Sequence, residues 1–253
     1  MINLPSNFSR IAPYYDTYSH LQRYMADKLV RELKGRAFNL ILEVGCGTGY
    51  YTALLSRDFP EAKIVSFDIS KSMLDIAQKR LAQKRVSLFA ADAENIYFSM
   101  KCDLITSNAC FQWLHDFERF IMVFGSYLAE GGIMSFSTFG PETLWEVASI
   151  IKEVMGDDLP LPAHSFIDKK RILSILAERG FNRVCFQEEI KEEIYPTAIE
   201  LLRTIKYSSG GGSVSPKKIV FTKRILHSME EAYIKRFNHI KATYQTFYCT
   251  AKK

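Results

Sequence analysis

The sequence contains no long apolar run. Its longest apolar stretch, residues 120–129, is interrupted by Gly125, Ser126 and Tyr127, whereas a membrane span needs ~18 consecutive apolar residues. The first six residues also lack the basic segment followed by an apolar block that a secretory signal requires. We therefore expect a cytoplasmic protein with no membrane segment.

Cysteine is sparse, and neither cysteine nor histidine is spaced as in a metal site. No two of the five cysteines form a C-x-x-C pair, and no two of the five histidines lie four residues apart with an acid between them. This spacing argues against a disulfide framework and against a structural zinc site. We expect reduced thiols and no metal ion.

The composition excludes a disordered or fibrous protein. Apolar residues make up 47% of the 253 residues and charged residues 24%, which are ordinary values for globular domains. The chain is long enough to bury a sizeable core, and its length suits one large domain. We expect residues 1–253 to form a single domain.

The formal net charge is +5, and the basic surplus is concentrated at one end. Residues 196–253 carry 11 basic and 3 acidic side chains, whereas residues 1–140 carry 15 and 14. A basic block of this kind is a candidate surface for an acidic partner. A solvated helical face explains the same pattern, so both interpretations stay open.

Strands and helices alternate through residues 40–138. The predicted strands are short apolar runs at residues 40–44, 63–67, 86–90, 102–107 and 133–138. The predicted helices are residues 8–34, 50–59, 70–82 and 111–129. This alternation indicates parallel βαβ units and a doubly wound α/β sheet.

After residue 140 the pattern changes. Helices are predicted at residues 141–155, 169–179, 197–207 and 215–235, and strands at residues 184–195 and 244–250. The stretch Ser208–Ser213 is rich in serine and glycine, which predicts a flexible loop.

A glycine-rich turn follows the first predicted strand. The segment Glu43-Val44-Gly45-Cys46-Gly47-Thr48-Gly49 lies between a strand and a helix, where a ligand can approach the backbone closely. Asp68 ends the next strand, at the position where an acid can bind the two ribose hydroxyls of an adenosine. Asp92 ends the third strand, where a carboxylate can accept a hydrogen bond from the adenine amino group. Together these residues predict an adenosine site.

Two classes of nucleotide could use such a site. A dinucleotide site normally reads G-x-G-x-x-G, whereas the spacing here is G-x-G-x-G with an acid two residues before the first glycine. The Glu43 carboxylate would repel a nearby pyrophosphate but suits a ligand with an ammonium group. We therefore predict S-adenosylmethionine as the cofactor.

Residues 40–138 resemble the class I S-adenosylmethionine-dependent methyltransferases. Residues 42–49 resemble the first motif of that superfamily, Asp68 its second and Asp92 its third. Residues 107–108 and 112–113 resemble its fourth-strand motif. The resemblance implies an α/β fold with a Rossmann-like, seven-stranded, mostly parallel sheet, and S-adenosyl-L-homocysteine as the product of the cofactor.

The flanking segments resemble the malonyl-acyl-carrier-protein O-methyltransferases of biotin synthesis. The similar segments are residues 8–16, 21–22, 107–113, 137–140 and 201–206. This resemblance implies methylation of the free carboxyl group of a malonyl thioester, with an acyl carrier protein as partner. The methyl ester would then prime pimelate synthesis.

The same resemblance implies a division of the single domain. We expect an N-terminal helical lid at residues 1–36, a cofactor-binding core at residues 37–140 and a C-terminal half at residues 141–253. Within that half, a helical insertion at about residues 196–240 would precede the last strand and bind substrate.

The motifs and the resemblance together define the candidate site residues. The cofactor-binding candidates are Tyr15, Gln22, Glu43, Gly45, Cys46, Gly47, Asp68, Ile69, Met73, Asp92, Ala93 and Asn108. The substrate-binding candidates are Tyr18, His164, Arg203 and Lys206. Core packing is the competing interpretation for Tyr15 and Met73, and a solvated face is the competing one for Arg203 and Lys206.

No catalytic base is predicted. A malonyl carboxylate is already ionised at neutral pH, since carboxyl pKa values lie near 4. The protein must instead align the reacting groups and exclude water, and a cation could hold the carboxylate through a charge-assisted hydrogen bond.

Other functions stay open from the sequence. One is methylation of another small carboxylic acid or small molecule, and another is a non-catalytic S-adenosylmethionine-binding protein. A nucleic-acid methyltransferase would need a base-flipping pocket, and residues 108–113 lack the Asn-Pro-Pro-Tyr type of sequence that such enzymes carry. We therefore expect no nucleic-acid partner, no membrane contact and a monomer.

Overall fold

The computed structural model describes residues 4–82, 84–156, 162–209 and 220–253. Within them, seven strands form one sheet in the order β3-β2-β1-β4-β5-β7-β6. The strands are β1 (Leu40–Val44), β2 (Lys63–Asp68), β3 (Val86–Ala90), β4 (Cys102–Asn108), β5 (Leu128–Phe139), β6 (Asn182–Tyr195) and β7 (Ile240–Lys252). β7 runs antiparallel to β5 and β6, and the other pairs are parallel. The prediction of a seven-stranded, mostly parallel sheet is confirmed.

The helices flank this sheet and extend over its carboxyl edge. They are α1 (Leu4–Tyr18), α2 (His20–Glu32), α3 (Tyr50–Asp58), α4 (Lys71–Arg80), α5 (Phe117–Ser126), α6 (Trp145–Met155), α7 (Lys169–Glu178), α8 (Ala198–Ser208) and α9 (Lys223–Phe237). α8 and α9 lie between β6 and β7, which confirms the predicted helical insertion. No helix in the described residues is long and apolar enough to cross a membrane.

Burial on both faces explains why β1 is a continuous apolar run. Ile41 packs with α2 and α3 on one face, whereas Leu42 and Val44 pack with α5 and α7 on the other. Successive side chains of a strand point to opposite faces, so a covered parallel strand needs apolar residues at every position. Glu43 is the exception, and it is only 1% exposed.

The helix predicted at residues 8–34 is interrupted at Ser19. This buried serine has φ −94° and ψ 35°, so α1 ends and α2 begins around it. The break lets the two helices pack differently: α2 lies against α3, while α1 lies against α4 and α8. The apolar residues Leu21, Met25 and Leu29, spaced four apart, are buried on α2, and Leu33 is the C-cap of that helix.

The helix predicted at residues 111–129 is wrong in part. Residues 111–113 form a 3-10 turn, and α5 begins only at Phe117, where the Asp116 carboxylate accepts a hydrogen bond from the Arg119 amide. β5 already begins at Leu128, with a register shift where it pairs with β4 and with Gly131 at φ 71°. A side-chain cap and a glycine-dependent bulge therefore shorten the helix at both ends.

Candidate functional site

A cavity of about 290 Å³ lies at the carboxyl ends of β1, β2 and β4, beneath α1. Much of its lining is apolar, with Phe8, Trp113 and Leu114 among its residues. Nine predicted cofactor residues line it: Tyr15, Gly45, Gly47, Asp68, Ile69, Met73, Asp92, Ala93 and Asn108. The structure therefore brings these residues together, as their positions at the ends of neighbouring strands predict.

A second, smaller cavity of about 40 Å³ adjoins the first. Tyr15, Gly45, Gly47 and Asn108 line both cavities, and the predicted residues Gln22 and Cys46 line the smaller one. The two cavities therefore meet at the glycine-rich turn.

The glycine-rich turn needs glycine at residues 45 and 47. Gly45 has φ 71°, in the left-handed region, and a Cβ atom there would lie 2.3 Å from the Cys110 sulfur. Gly47 has φ 53°, and no atom lies within 4 Å of the position its Cβ would take. The turn thus packs tightly on Cys110 at one glycine and leaves free space at the other.

Asp68 is fixed in place by backbone donors. Its carboxylate accepts hydrogen bonds from the Gly47 amide at 2.8 Å and from the Ser70 amide at 2.8 Å. Burial raises the pKa of Asp68, and these amide donors oppose that rise. Each oxygen keeps a second lone pair, so the carboxylate can also accept from the hydroxyls of a ribose.

Asp92 and Glu94 shape the far end of the larger cavity. Asp92 accepts from the Glu94 amide at 3.0 Å and from the Asn95 side chain at 2.7 Å. Glu94 in turn accepts from the backbone amides of His115 and Asp116 and lies 2.8 Å from the His115 ring. The segment after the 3-10 turn is thereby held against the third strand end. Sequence analysis missed Glu94 and His115, since nothing in their local sequence pairs them.

Glu43 lies behind the glycine turn, not in the lining of either cavity. Its carboxylate accepts a hydrogen bond from the Ser66 hydroxyl at 2.7 Å. Burial is the main cause that raises the pKa of Glu43 to about 7, while the Ser66 hydroxyl opposes the rise. Any contribution to cofactor binding would therefore come from its charge across the turn.

We expect Glu43 to make the stability of the cofactor-free protein depend on pH. The folded-state pKa lies above the ordinary value of 4.5, so the folded state binds more protons than the unfolded state between these two values. Stability should therefore fall as pH rises from about 4.5 to about 7, by about 3 kcal/mol in total from this group.

Glu43→Gln should remove this decrease in stability between about pH 4.5 and pH 7. Urea unfolding at pH 5 and pH 8 measures it, because comparing the two pH values within each protein cancels the pH-independent cost of the substitution. An equal loss of stability in both proteins would contradict the assignment.

Asn108 and Gln22 connect the sheet to the lid and the insertion. The Asn108 amide donates to the Gln22 carbonyl at 3.0 Å, and its oxygen accepts from the Ser137 hydroxyl at 2.7 Å. The Gln22 amide donates to the Ser208 carbonyl of α8 at 3.1 Å, while its buried side-chain oxygen has no hydrogen-bond partner among the residues that the structure describes. That oxygen can accept from a ligand.

Arg23 is a candidate that sequence analysis missed. Its side chain is half-buried and lines the smaller cavity. Within the described residues it makes no ion pair and no side-chain hydrogen bond. An unpaired guanidinium beside this turn suits the carboxylate of a methionine-like ligand. Ser19 lines the same cavity, but no motif or spacing in the sequence marks either residue for a binding role.

The predicted substrate residues do not converge in either cavity. Tyr18 stacks on Tyr207 of α8 with ring centroids 5.0 Å apart. Arg203 and Lys206 are exposed on α8, and neither makes an ion pair within the part of the chain that the structure describes. The side chain of His164 lies outside the described residues. The two cations on α8 are thus available to a partner at the surface.

The cavities fit S-adenosylmethionine in their chemistry. The half-buried Asp68 carboxylate suits a ribose, and the apolar walls suit an adenine ring. The Gln22 oxygen and the Arg23 guanidinium, both unpaired within the described part of the chain, suit an ammonium and a carboxylate. The free space at Gly47 allows close approach to the backbone of the turn.

Comparison with known proteins agrees with this chemistry. A family model described as "Methyltransferase domain" matches residues 41–132. The malonyl-acyl-carrier-protein O-methyltransferase of Acetivibrio thermocellus is 32% identical to this chain, over 99% of this chain and 93% of that protein. The protein of the same name from Priestia megaterium is 32% identical, over 96% of each chain.

Solved structures share the fold at low sequence identity. The YcgJ protein of Bacillus subtilis is 14% identical with a TM-score of 0.64, over 91% of this chain and 98% of that one. A phosphoethanolamine N-methyltransferase of Haemonchus contortus, in complex with S-adenosylhomocysteine, is 16% identical with a TM-score of 0.56, over 91% of this chain and 52% of that one. These likenesses establish the Rossmann-like methyltransferase fold.

Proposed function

The chain belongs to the malonyl-acyl-carrier-protein O-methyltransferase family, and from that premise we propose that it methylates the free carboxyl group of a malonyl thioester carried by an acyl carrier protein in the cytoplasm. The methyl ester would prime pimelate synthesis in the biotin pathway. The observation that supports this most is the extent of the alignment. It covers the lid and the insertion as well as the core, over 99% of this chain.

S-adenosylmethionine is the cofactor, and when bound it supplies an electrophilic methyl group. We assign its adenosine part to the larger cavity, held by Asp68, Ile69, Met73, Asp92 and Ala93. We assign its methionine part to the smaller cavity, held by Gln22, Arg23 and the backbone of Gly45, Cys46 and Gly47. Tyr15 and Asn108 border both cavities and would lie between these two parts.

The residues around the larger cavity favour transfer of the methyl group to the malonyl carboxylate by excluding water. A carboxylate is a poor nucleophile while it is hydrated, and apolar walls such as Phe8 and Trp113 leave it few water partners. Burial raises the pKa of Tyr15 well above its ordinary value, and the nearby Asp68 and Asp16 carboxylates add to this rise. Tyr15 therefore stays a phenol at neutral pH and can donate a hydrogen bond. It is not a base, and a malonyl carboxylate needs none.

The insertion carries the charge that a carrier protein would need. Carrier proteins present acidic surfaces, and residues 196–240 have 8 basic against 3 acidic side chains. Arg203 and Lys206 lie on the exposed face of α8, and α8 itself packs on the lid helix α1. We propose that these two cations meet the carrier, its phosphopantetheine phosphate or the malonyl carboxylate, with Tyr18 and His164 as further donors.

Methyl transfer to three acceptors tests the proposal. Malonyl-carrier protein, succinyl-carrier protein and free aconitate would each be incubated with the enzyme and S-adenosylmethionine, and the products read by mass. We expect methylation of the malonyl carrier at a rate far above the other two. Transfer to free aconitate but not to the malonyl carrier would contradict the proposed substrate. No transfer to any acceptor, with cofactor still bound, would favour a non-catalytic binding protein.

A further inference from the structure

The lid helix α1 rests on the body of the protein through apolar, aromatic and polar contacts. Its Phe8 ring lies edge-on to Trp113 with centroids 5.9 Å apart, and Tyr18 stacks on Tyr207 of α8. Ile11 and Ala12 are its buried residues, and they pack with Met73 of α4 in a small cluster. The Ser9 and Ser70 hydroxyls add a hydrogen bond of 3.0 Å. Because Ile11 and Ala12 are the only buried residues among residues 4–18, polar groups contribute alongside these ring contacts to holding α1 in place.

One polar network joins α1, α4 and the glycine turn. The Arg80 guanidinium lies 2.5 Å from the Asp16 carboxylate of α1 and donates to the Thr48 carbonyl at 2.9 Å. It also donates to the Thr48 hydroxyl at 3.1 Å, and that hydroxyl donates to Asp16 at 2.7 Å. We call Asp16, Thr48 and Arg80 the lid latch. Each of these hydrogen bonds has the Arg80 guanidinium as donor or the Asp16 carboxylate as acceptor. Hydrogen bonds with a charged partner are stronger than those between neutral groups.

The position of the latch connects it to the cavities. Asp16 follows Tyr15, which lines both cavities, and Thr48 belongs to the turn between them. Arg80 lines neither cavity, so it can affect a ligand there only through the lid and the turn. α1 supplies Phe8 and Tyr15 to the lining of the larger cavity, so its position affects how easily a bound nucleoside leaves.

We propose that the lid latch controls how fast α1 opens, and hence how fast the cofactor and its product exchange. Arg80 is then a positioning residue, one that touches no reacting atom. The inference rests on the proposed function, since it takes the two cavities as the cofactor site.

Release of S-adenosylhomocysteine measures the opening directly. Trp113 lines the larger cavity, and the chain has only two tryptophans, so a Trp145→Phe background makes Trp113 the single fluorescent reporter in stopped-flow displacement. We expect Arg80→Met to speed release about tenfold, which corresponds to ~1.4 kcal/mol. A release rate that Arg80→Met leaves unchanged would overturn the proposal.

Arg179→Met is the matched control. Arg179 forms an ion pair with Glu118 at 2.5 Å, with side chains 35% and 32% exposed. The Arg80–Asp16 pair has the same separation, with 29% and 36% exposed. The control should cost similar stability and leave the release rate alone. Equal acceleration by both variants would mean a general loosening of the fold and would overturn the proposal.

A double-mutant cycle shows whether Asp16 acts through its ion pair with Arg80 or through direct contact with the ligand. If Asp16 acts through Arg80, Asp16→Asn and Arg80→Met should each speed release, and together they should do little more than either alone. Additive effects would mean that Asp16 contacts the ligand and Arg80 only supports the turn, which would overturn the latch.

Hydrogen exchange gives a readout that needs no ligand. In the cofactor-free protein, Arg80→Met should speed amide exchange in residues 4–18 while the amides of α3 keep their protection. Unchanged exchange in α1 would contradict the latch. Failure of the wild-type protein to bind S-adenosylhomocysteine at all would instead contradict the proposed function, so the two failures are distinguishable.

Discussion

Asp68→Ala should weaken the binding of S-adenosylhomocysteine by about 3 kcal/mol, because two charge-assisted hydrogen bonds to ribose hydroxyls would be lost. That energy is a factor of roughly 150 in the dissociation constant. Isothermal titration of the purified variant measures it. The expectation follows from the geometry, since the amides of Gly47 and Ser70 hold the Asp68 carboxylate in place and leave a lone pair on each oxygen.

Asp103→Ala is the control for this prediction. Asp103 also accepts two backbone hydrogen bonds, from the amides of Asn39 at 2.7 Å and Leu40 at 2.9 Å. It does so at the amino end of β1, at the opposite edge of the sheet from the cavities. The control should lower the free energy of unfolding without changing affinity. Near-native affinity in Asp68→Ala would remove this carboxylate from the cofactor site.

The second large effect concerns the carrier surface. The double variant Arg203→Glu/Lys206→Glu should lower kcat/KM for malonyl-carrier protein about thirtyfold, on the order of 2 kcal/mol, because two attractive charges become repulsive. The rate with a small malonyl thioester should change much less. Added salt should lower the wild-type rate on the carrier substrate and affect the double variant little, since exposed charges are screened.

Lys84→Glu/Arg85→Glu makes the same change in net charge elsewhere. Both residues are exposed at the amino end of β3, away from the carboxyl edge. This control should keep the native rate on the carrier substrate. Equal losses in both double variants would mean that net charge matters and a specific surface does not.

The sheet could be predicted from sequence because its signals are local. The central parallel strand β1 (Leu40–Val44) is buried on both faces, so it is a nearly continuous apolar run. The turn after it needs left-handed backbone at Gly45 and Gly47, and glycine at those positions is visible in the sequence. The carboxyl ends of neighbouring parallel strands meet at one edge of the sheet, so the sequence alone predicts that Asp68 and Asp92 share one cavity, which they do.

The break between α1 and α2 and the lid latch could not be predicted, because they depend on contacts between residues far apart in the chain. The break at Ser19 reflects the different partners of α1 and α2, and no helix-breaking residue marks it. Arg80 reads as an ordinary basic residue near a helix end, yet it bridges Asp16 and Thr48. Arg23 likewise reads as a solvated residue until the fold places it beside the glycine turn. Such roles arise from tertiary contacts, which periodicity and spacing do not encode.

The most direct test of the central claim is the chemical position of the transferred methyl group. Malonyl-carrier protein would be treated with the enzyme and isotopically labelled S-adenosylmethionine, and the phosphopantetheine arm analysed by tandem mass spectrometry. The account predicts one labelled methyl group on the malonyl unit, which then no longer loses carbon dioxide on activation because its carboxyl is an ester. An unlabelled arm, or a labelled arm that still loses carbon dioxide, would contradict carboxyl methylation of the carrier-bound malonyl group.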